Sequence, residues 1–228
     1  MLGGPAWLAL EVKYLDRARS FYETYLDLEA VRETETEVAL AAGETDLVLR
    51  RPSTVPRGGL HTHYALATPA DEYQGWYDRL STSFDLVEHE FGDASSLYFY
   101  DTEGNCVEIG QRDVAGEGIA GLFEIVLEVE DLDRAESFYR ALGLEVTGRG
   151  ENRQRIRLTS GDVDVELWEP QLGLADARGG VHVDAGFTVA DPRGLADEVA
   201  DEALGVTDLD EGVRVRDPDG HYLTFREG

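Results

Sequence analysis

Apolar and polar positions along the chain predict short units in which one strand and one helix precede three further strands. In the first unit, residues 7–12 are predicted to form a strand, and Asp16 is placed to cap the helix that follows. The apolar residues of that helix recur at helical spacing: Ala18, Phe21, Tyr22 and Tyr25. Strands separated by acidic or glycine-bearing turns are then predicted near residues 28–32, 37–41 and 45–50. The unit is a βαβββ module.

The same order of elements is predicted a second time from His61. A strand runs to Thr68, and a helix covers about residues 71–80. Strands follow near residues 84–90, 96–100 and 106–110. The first half of the chain is therefore predicted to hold two modules.

Phrases of the sequence recur in the same order, which indicates a duplication. Leu15-Asp16-Arg17-Ala18 with Ser20-Phe21-Tyr22 returns as Leu132-Asp133-Arg134-Ala135 with Ser137-Phe138-Tyr139. Arg57-Gly58-Gly59 returns as Arg178-Gly179-Gly180, and Asp101-Thr102-Glu103-Gly104 returns as Asp217-Pro218-Asp219-Gly220. We predict an α+β fold of four tandem βαβββ modules, divided into halves at residues 1–112 and 119–228. The glycine-bearing segment 111–121 is the predicted link between the halves.

The composition describes a folded chain with an acidic surface. An apolar fraction of 42% is enough for a packed core in 228 residues. The formal net charge is -27, and Lys13 is the single lysine among 20 basic residues. Such surfaces resemble those of cytosolic proteins from salt-accumulating halophiles, which predicts a haloarchaeal origin. The same charge argues against a nucleic-acid partner, because neutralising phosphates requires clustered lysine and arginine.

Cys106 is the single cysteine, so a disulfide within the chain is excluded and a reducing compartment is expected. The first residues lack the basic and apolar segments of a signal peptide, and no later run approaches the length of a transmembrane helix. We therefore expect a cytoplasmic protein without a membrane partner, either a monomer or a homodimer.

The helix phrases, together with the closing run Asp101-Thr102-Glu103-Gly104-Asn105-Cys106-Val107-Glu108, resemble the vicinal-oxygen-chelate superfamily. That superfamily includes glyoxalase I, bleomycin-resistance proteins and extradiol dioxygenases. The resemblance spans essentially the whole chain. It implies that pairs of modules curl into half-barrels, that the first and last strands of the modules carry ligands for a divalent metal ion, and that the partner is a small molecule.

Carrying the family's ligand positions onto this sequence leaves each half with an incomplete set. In the first half the four positions hold Trp7, Val48, His63 and Glu108. In the second half they hold Glu124, Glu166, Asp184 and Thr224. Pairing module two with module three would bring the usable groups of both halves together. Modules one and four would then form a second site that binds no metal. We therefore predict that the cavity is shared between the halves, with module two packed edge to edge on module three.

The resemblance implies a ligand set similar to that of glyoxalase I: His63, Glu108, Glu124 and Glu166. One imidazole and several carboxylates suit Mn, Fe, Co, Ni or Zn, and Glu108 is the candidate catalytic base. Further residues are expected to line the cavity or to contact the substrate: His61, Trp7, Tyr64, Tyr98 and Cys106. His61 and Cys106 are included because residues two apart on a strand share a face, here with His63 and Glu108.

Three functions stay open on the sequence. The leading one is a metal-dependent enzyme of glyoxalase-I-like type, in which the ion binds two vicinal oxygens of a small substrate. The second is an extradiol dioxygenase of the catechol 2,3 type, whose iron site of two histidines and one glutamate could be formed by His61, His63 and Glu108. The third is a non-enzymatic binder of the bleomycin-resistance type. In that binder the carboxylates matter less than the aromatic residues, which are Trp7, Tyr64, Trp76, Tyr98 and Tyr100.

Overall fold

A computed structural model describes residues 2–52, 60–150, 154–161, 163–170 and 183–228. Module one consists of β1 (Pro5–Glu11), α1 (Leu15–Tyr25), β2 (Glu29–Glu33), β3 (Glu37–Ala42) and β4 (Thr45–Arg50). Module two consists of β5 (Leu60–Pro69), α2 (Tyr73–Leu80), β6 (Val87–Phe91), β7 (Ala94–Tyr100) and β8 (Cys106–Arg112). Module three consists of β9 (Gly121–Glu128), α3 (Leu132–Ala141), β10 (Glu145–Arg149), β11 (Arg155–Thr159) and β12 (Asp164–Trp168). Module four consists of β13 (Val183–Val189), α4 (Pro192–Val199), β14 (Gly205–Leu209), β15 (Gly212–Arg216) and β16 (Tyr222–Glu227).

The four modules form two curled eight-stranded sheets, and each sheet takes one module from each half of the chain. Modules two and three form the sheet β10-β11-β12-β9-β5-β8-β7-β6, which we call the inner sheet because consecutive modules build it. Modules one and four form the sheet β14-β15-β16-β13-β1-β4-β3-β2, the outer sheet. The predicted edge-to-edge pairing of module two with module three is therefore confirmed, and so is the α+β fold of βαβββ modules.

The strand register explains how residues far apart in sequence meet in the inner sheet. Strands β5 and β9 run antiparallel at the junction of the two modules, with Ala65 opposite Glu124. Strand β8 lies on the other side of β5 and runs parallel to it, with Ala65 opposite Glu108. The glutamates of two different halves thus flank one residue whose side chain is a single methyl group. Because paired residues on neighbouring strands point to the same face, both carboxylates lie on the same side of the sheet.

Residues of the repeated sequence phrases bond to each other. In the first half, the hydroxyl group of Tyr22 on α1 donates a hydrogen bond of 2.6 Å to the carboxylate of Asp101 in the turn between β7 and β8. In the second half, Tyr139 on α3 donates a bond of 2.9 Å to Asp217, the matching residue of module four. Each bond joins the helix of one sheet to a turn of the other, so the phrases connect modules that do not share a sheet.

Helix α1 begins differently from the expectation. The helix starts at Leu15, its N-cap position is Tyr14, and no side chain caps it, so the assignment of Asp16 as the cap is wrong. Asp16 lies in the first turn instead, where its negative charge interacts favourably with the helix dipole. In the second half Asp131 does cap α3, because its carboxylate accepts a hydrogen bond from the backbone N–H of Arg134.

The apolar core lies between the helices and the sheets and continues from one sheet to the other. Phe21 of α1 and Phe138 of α3 are buried in this single cluster, together with residues of both sheets. Complete burial of a phenylalanine side chain stabilises the folded state by roughly 2–3 kcal/mol.

None of the described helices is long and apolar enough to cross a membrane.

Candidate metal centre

Three strands bring His63, Glu108 and Glu124 to one place on the inner sheet. His63 is on β5, Glu108 on β8 and Glu124 on β9. One potential ligand atom from each residue lies within 4.8 Å of those of the other two. All three side chains are buried, with 2–3% of each residue exposed. The approach of His63 to Glu124 that the cross-half pairing predicted is therefore observed.

The two glutamates of this group are in different electrostatic environments. Burial raises the pKa of Glu124 to about 7; the neighbouring carboxylates of Glu166 and Glu108 add to the increase, while the cation of Arg157 opposes it. Burial alone would also raise the pKa of Glu108, but the hydrogen bond and charge of His63 outweigh it and lower the pKa below its ordinary value. The cause is close contact, because Nε2 of His63 lies 3.2 Å from Oε2 of Glu108.

His63 is the imidazole counterpart of these carboxylates. Burial alone would lower the pKa of His63, but the neighbouring carboxylates, Glu108 foremost, raise it above its ordinary value. Three buried carboxylates around one imidazole would be costly to keep charged without further cations. Such cations are present on β11, the strand next to β12, which carries Glu166.

Arg155 and Arg157 on β11 supply these cations, and neither was identified from the sequence. Arg157 donates through Nη2 to Glu124 and through Nε, at 3.0 Å, to Glu166. Arg155 donates through Nη1 to Glu166. The signal that could have located them is the alternation along β11, where arginines at positions two apart flank Ile156 and therefore share a face.

Glu166 lies beside the group of three but is not one of its members. Its carboxylate accepts hydrogen bonds from both arginines and from the indole N–H of Trp168, so its oxygens are occupied. A carboxylate held by three donors is a poor candidate for a metal ligand. Of the four predicted ligands, three therefore form the close group, and Glu166 holds the arginines.

A cavity of about 270 Å³ opens over these residues on the concave face of the inner sheet. Polar groups of the cavity wall include His63, Glu108, Glu124, Glu166 and Ser96. The aromatic part of the wall consists of Phe91, Tyr98, Phe123 and Trp168. The combination of a few convergent polar groups with aromatic walls is typical of small-molecule sites.

The other residues expected in the cavity have different positions. Tyr98 lines it, as expected. Tyr64 does not: it is fully buried on the helix side of the sheet, with its hydroxyl 2.6 Å from that of Tyr22, because it directly follows His63 and points to the opposite face. Cys106 is buried against Tyr98 without lining the cavity. The side chain of His61 lies outside the described part of the chain.

Trp7 lies on the outer sheet, where the residues corresponding to the metal group form a different arrangement. Asp184 stands at the position equivalent to His63, and its Oδ2 accepts hydrogen bonds from Arg50 at 3.1 Å and from Arg214 at 2.7 Å. Its Oδ1 accepts a bond of 2.7 Å from Thr224. The carboxylate of Asp184 is thus neutralised by arginines, whereas the inner sheet brings an imidazole and two carboxylates together.

The residues of the inner cavity fit a divalent ion of the first transition row. One imidazole and two carboxylates are ligands that Mn, Fe, Co, Ni and Zn accept, and their mutual distances allow convergence on a single ion. Oε2 of Glu108 is buried and lies 3.2 Å from Nε2 of His63. Both atoms are of types that bind such an ion.

Known proteins share the fold of this chain. Residues 4–109 match the family model of the Glyoxalase/Bleomycin resistance protein/Dioxygenase superfamily. Metallothiol transferase FosB from Staphylococcus haemolyticus is 24% identical over 116 residues, which cover 48% of this chain and 84% of that protein. The chain therefore contains a domain of the glyoxalase, bleomycin resistance protein and dioxygenase superfamily.

Solved structures extend the likeness to the whole chain. Glyoxalase I from Zea mays matches with a TM-score of 0.72 and 20% identity, over 98% of this chain and 92% of that chain. A Bacillus subtilis protein described as a proposed dioxygenase matches with a TM-score of 0.77 and 19% identity, over 99% of this chain and 85% of that chain. These matches show that both halves of the chain share the fold of those structures.

Proposed function

We propose that the protein is a metal-dependent enzyme of glyoxalase-I-like type, in which His63, Glu108 and Glu124 hold one divalent ion. The observation that carries the proposal is the convergence of these three buried side chains, from three strands and both halves of the chain, at the base of a cavity. Carboxylates clustered at a surface are solvated by water and need no bound ion. Carboxylates buried around an imidazole are costly to keep charged, and a bound cation would stabilise them.

The ion, when bound, supplies Lewis acidity toward two adjacent oxygen atoms of a small substrate. Three protein ligands leave coordination positions for those oxygens. The cavity walls contribute the rest: Phe123 and Trp168 limit the access of water, which strengthens the electrostatic interactions inside. We therefore expect a substrate that fits within this cavity of about 270 Å³.

Glu108 is the proposed proton-transferring residue. Its side chain is buried at the cavity base, where its Oε2 lies 3.2 Å from Nε2 of His63. Tyr98 lies on the neighbouring strand β7 and is paired directly with Glu108 in the strand register. Glu108 is placed to take a proton from a carbon of a bound substrate and return it, while Tyr98 orients the carboxylate.

The likeness to the metallothiol transferase supports the use of a metal, since the name of that relative states one.

A second candidate function is favoured by the aromatic part of the cavity wall. Phe91, Tyr98, Phe123 and Trp168 could hold a flat ligand without any reaction, as in a binder of the bleomycin-resistance type. The dioxygenase alternative receives less support, because His63 is the one histidine among the described residues that line the cavity.

Metal analysis of protein purified without an affinity tag separates the two candidates. We expect close to one first-row metal ion per chain, lost on treatment with a chelator and lost in the variant Glu108→Gln. The loaded protein should isomerise hemithioacetals formed from 2-oxoaldehydes and small thiols, and Glu108→Gln should not. Protein that folds normally, contains no metal and takes up none would contradict the enzyme and favour the binder.

A further inference from the structure

Arginines are concentrated around the cavity of a protein that has few basic residues. The chain has 20 basic residues against 47 acidic ones, and Arg112, Arg155 and Arg157 all line this one cavity. Part of the reason is structural, because Arg157 is bonded to both Glu124 and Glu166 and so neutralises carboxylates of the wall. Arg155 is explained in this way only in part, through one nitrogen that bonds to Glu166, and Arg112 is not explained in this way.

Arg155 has a donor that no group of the described residues satisfies. Its Nη1 bonds to Glu166, its guanidinium lies 5.8 Å from the centre of the Trp168 ring, and its side chain is 32% exposed. The Nε–H group is buried and has no hydrogen-bond partner among the described residues. The edge of a guanidinium that carries Nε–H is one of the two edges with which arginine binds an oxyanion through paired hydrogen bonds.

Arg112 stands at the end of β8, where the described residues offer it no carboxylate partner. Its guanidinium lies 4.5 Å from the centre of the Phe123 ring, and it forms no ion pair with any residue in the described part of the chain. Most surface arginines of this acidic protein have such a pair; Arg19, Arg79 and Arg193 are examples. An arginine that stacks on a cavity wall with its charge unpaired is placed to meet a charged ligand.

The net charge of the cavity becomes positive when a divalent ion is present. Three glutamates and three arginines line the wall, so their formal charges cancel when His63 is neutral. A bound divalent ion would then give the cavity a net charge of about two positive units. A substrate without charge would leave this excess uncompensated in a partly closed site, whereas an anionic group would neutralise it.

We propose that Arg155, assisted by Arg112, binds an anionic group of the substrate, a carboxylate or a phosphoryl group, beside the metal ion. This inference rests on the proposed function, since the ion supplies the excess positive charge. It assigns Glu166 the role of holding Arg155 in position. The substrate is then a small anion, bound by a protein whose overall charge is strongly negative.

Calorimetric titration with acetate and with methyl phosphate tests the proposal on the metal-free and the metal-loaded full-length protein. The loaded protein should bind at least one of the two anions, and the preferred one identifies the group. Arg155→Gln should weaken that binding about tenfold, the loss expected for a charge-assisted hydrogen bond. Arg112→Gln should weaken it less, and Arg134→Gln, a surface change on α3, should leave it unchanged.

The metal content of every sample is measured separately, which distinguishes the two proposals. Absence of metal from the wild-type protein would overturn both. Stoichiometric metal with no binding of either anion would overturn this inference and leave the metal centre intact. A change of less than twofold in Arg155→Gln would also overturn it, because the anion would then be held by the ion alone. If Arg155→Gln does not fold, Arg155→Lys, which keeps the charge and loses the paired donors, should show the same weakening, and full affinity there would contradict the proposal.

Discussion

At the scale of single residues, the carboxyl group of Glu124 predicts how metal binding depends on pH. Its raised pKa of about 7 means that it binds a proton in mildly acidic solution, and the raised pKa of His63 acts in the same direction. Protons and metal compete for these atoms, so affinity should fall as the pH decreases. Between about pH 8 and about pH 5.5 we expect the dissociation constant to rise by at least ~10-fold. Equal constants at the two pH values, measured by metal titration, would contradict this assignment.

The replacement His63→Ala should remove the metal site. Loss of the single imidazole leaves two carboxylates, one of them paired with Arg157, and affinity should fall by more than ~100-fold. His89→Ala is the matched control, because His89 lies on the edge strand β6 and does not line the cavity. Equilibrium dialysis with one metal ion measures both variants, after circular dichroism has verified their fold. Normal metal binding by His63→Ala would refute the proposed centre.

Cys106 should be unreactive in the folded protein. Burial raises the pKa of its thiol to about 12, and the nearby charges of Glu108 and Asp101 add to the increase. At about pH 8 almost none of the thiol is ionised, so alkylation by iodoacetamide should be at least ~100-fold slower than in denaturant. Mass spectrometry of timed samples measures the rates, with denatured protein as the control. Equal rates would show that the thiol is exposed and reactive.

The residues of the site differ in how far the sequence could predict them. His63, Glu108 and Glu124 were predicted because the resemblance to a known superfamily assigns ligand positions to the first and last strands of the modules. Glu166 was predicted as a fourth metal ligand; its hydrogen bonds to Arg155 and Arg157 could not be foreseen, because they depend on strand β11, which carries no repeated phrase. Tyr64 was misplaced although strand alternation from His63 already predicted the opposite face.

At the scale of elements, the turn between β3 and β4 provides a contact between the two sheets. Gly43 has a φ of +63°, and a Cβ atom there would lie 1.8 Å from the backbone oxygen of Ala120, just before β9. Gly43→Ala should therefore destabilise the fold by more than ~2 kcal/mol, because backbone atoms of both sheets must move apart. Urea unfolding at constant salt measures this effect.

Gly92 offers a matched control for that substitution. Its φ of +67° is nearly the same, but a Cβ atom there would meet nothing within 4 Å. Gly92→Ala should cost only the backbone penalty of a left-handed alanine, about 1 kcal/mol. Equal losses in the two variants would show that the contact with Ala120 is unimportant.

Element boundaries and sheet order were predictable for different reasons. Most strands lie within a few residues of the ranges that alternation indicated, and the largest shift is that of β6, which begins at Val87 instead of residue 84. The order of the strands is not contained in local patterns. It became predictable because the usable ligands His63 and Glu124 lie in different halves, so a shared cavity requires β5 beside β9. The start of α1 was missed because Leu15, an apolar residue, already begins the helix without a side-chain cap.

At the scale of the whole molecule, the net charge of -27 predicts a dependence on salt. Mutual repulsion of the surface carboxylates favours expansion of the chain, and molar salt reduces the screening length to about 3 Å. The melting temperature should rise between low salt and about 2 M KCl, with loss of secondary structure at the low end. Circular dichroism on heating tests this, and an unchanged melting temperature across the series would argue against a halophilic protein.

The pairing of modules across the halves has a consequence for how this protein can change. In a symmetric homodimer a substitution is introduced at two equivalent places, so neither site can be altered alone. Here both equivalents lie in one polypeptide, and the position of His63 in the inner sheet has Asp184 as its counterpart in the outer sheet. The outer sheet is therefore a second copy of the same arrangement of strands, in which residues around Arg50 and Arg214 can be changed while the metal ligands stay as they are.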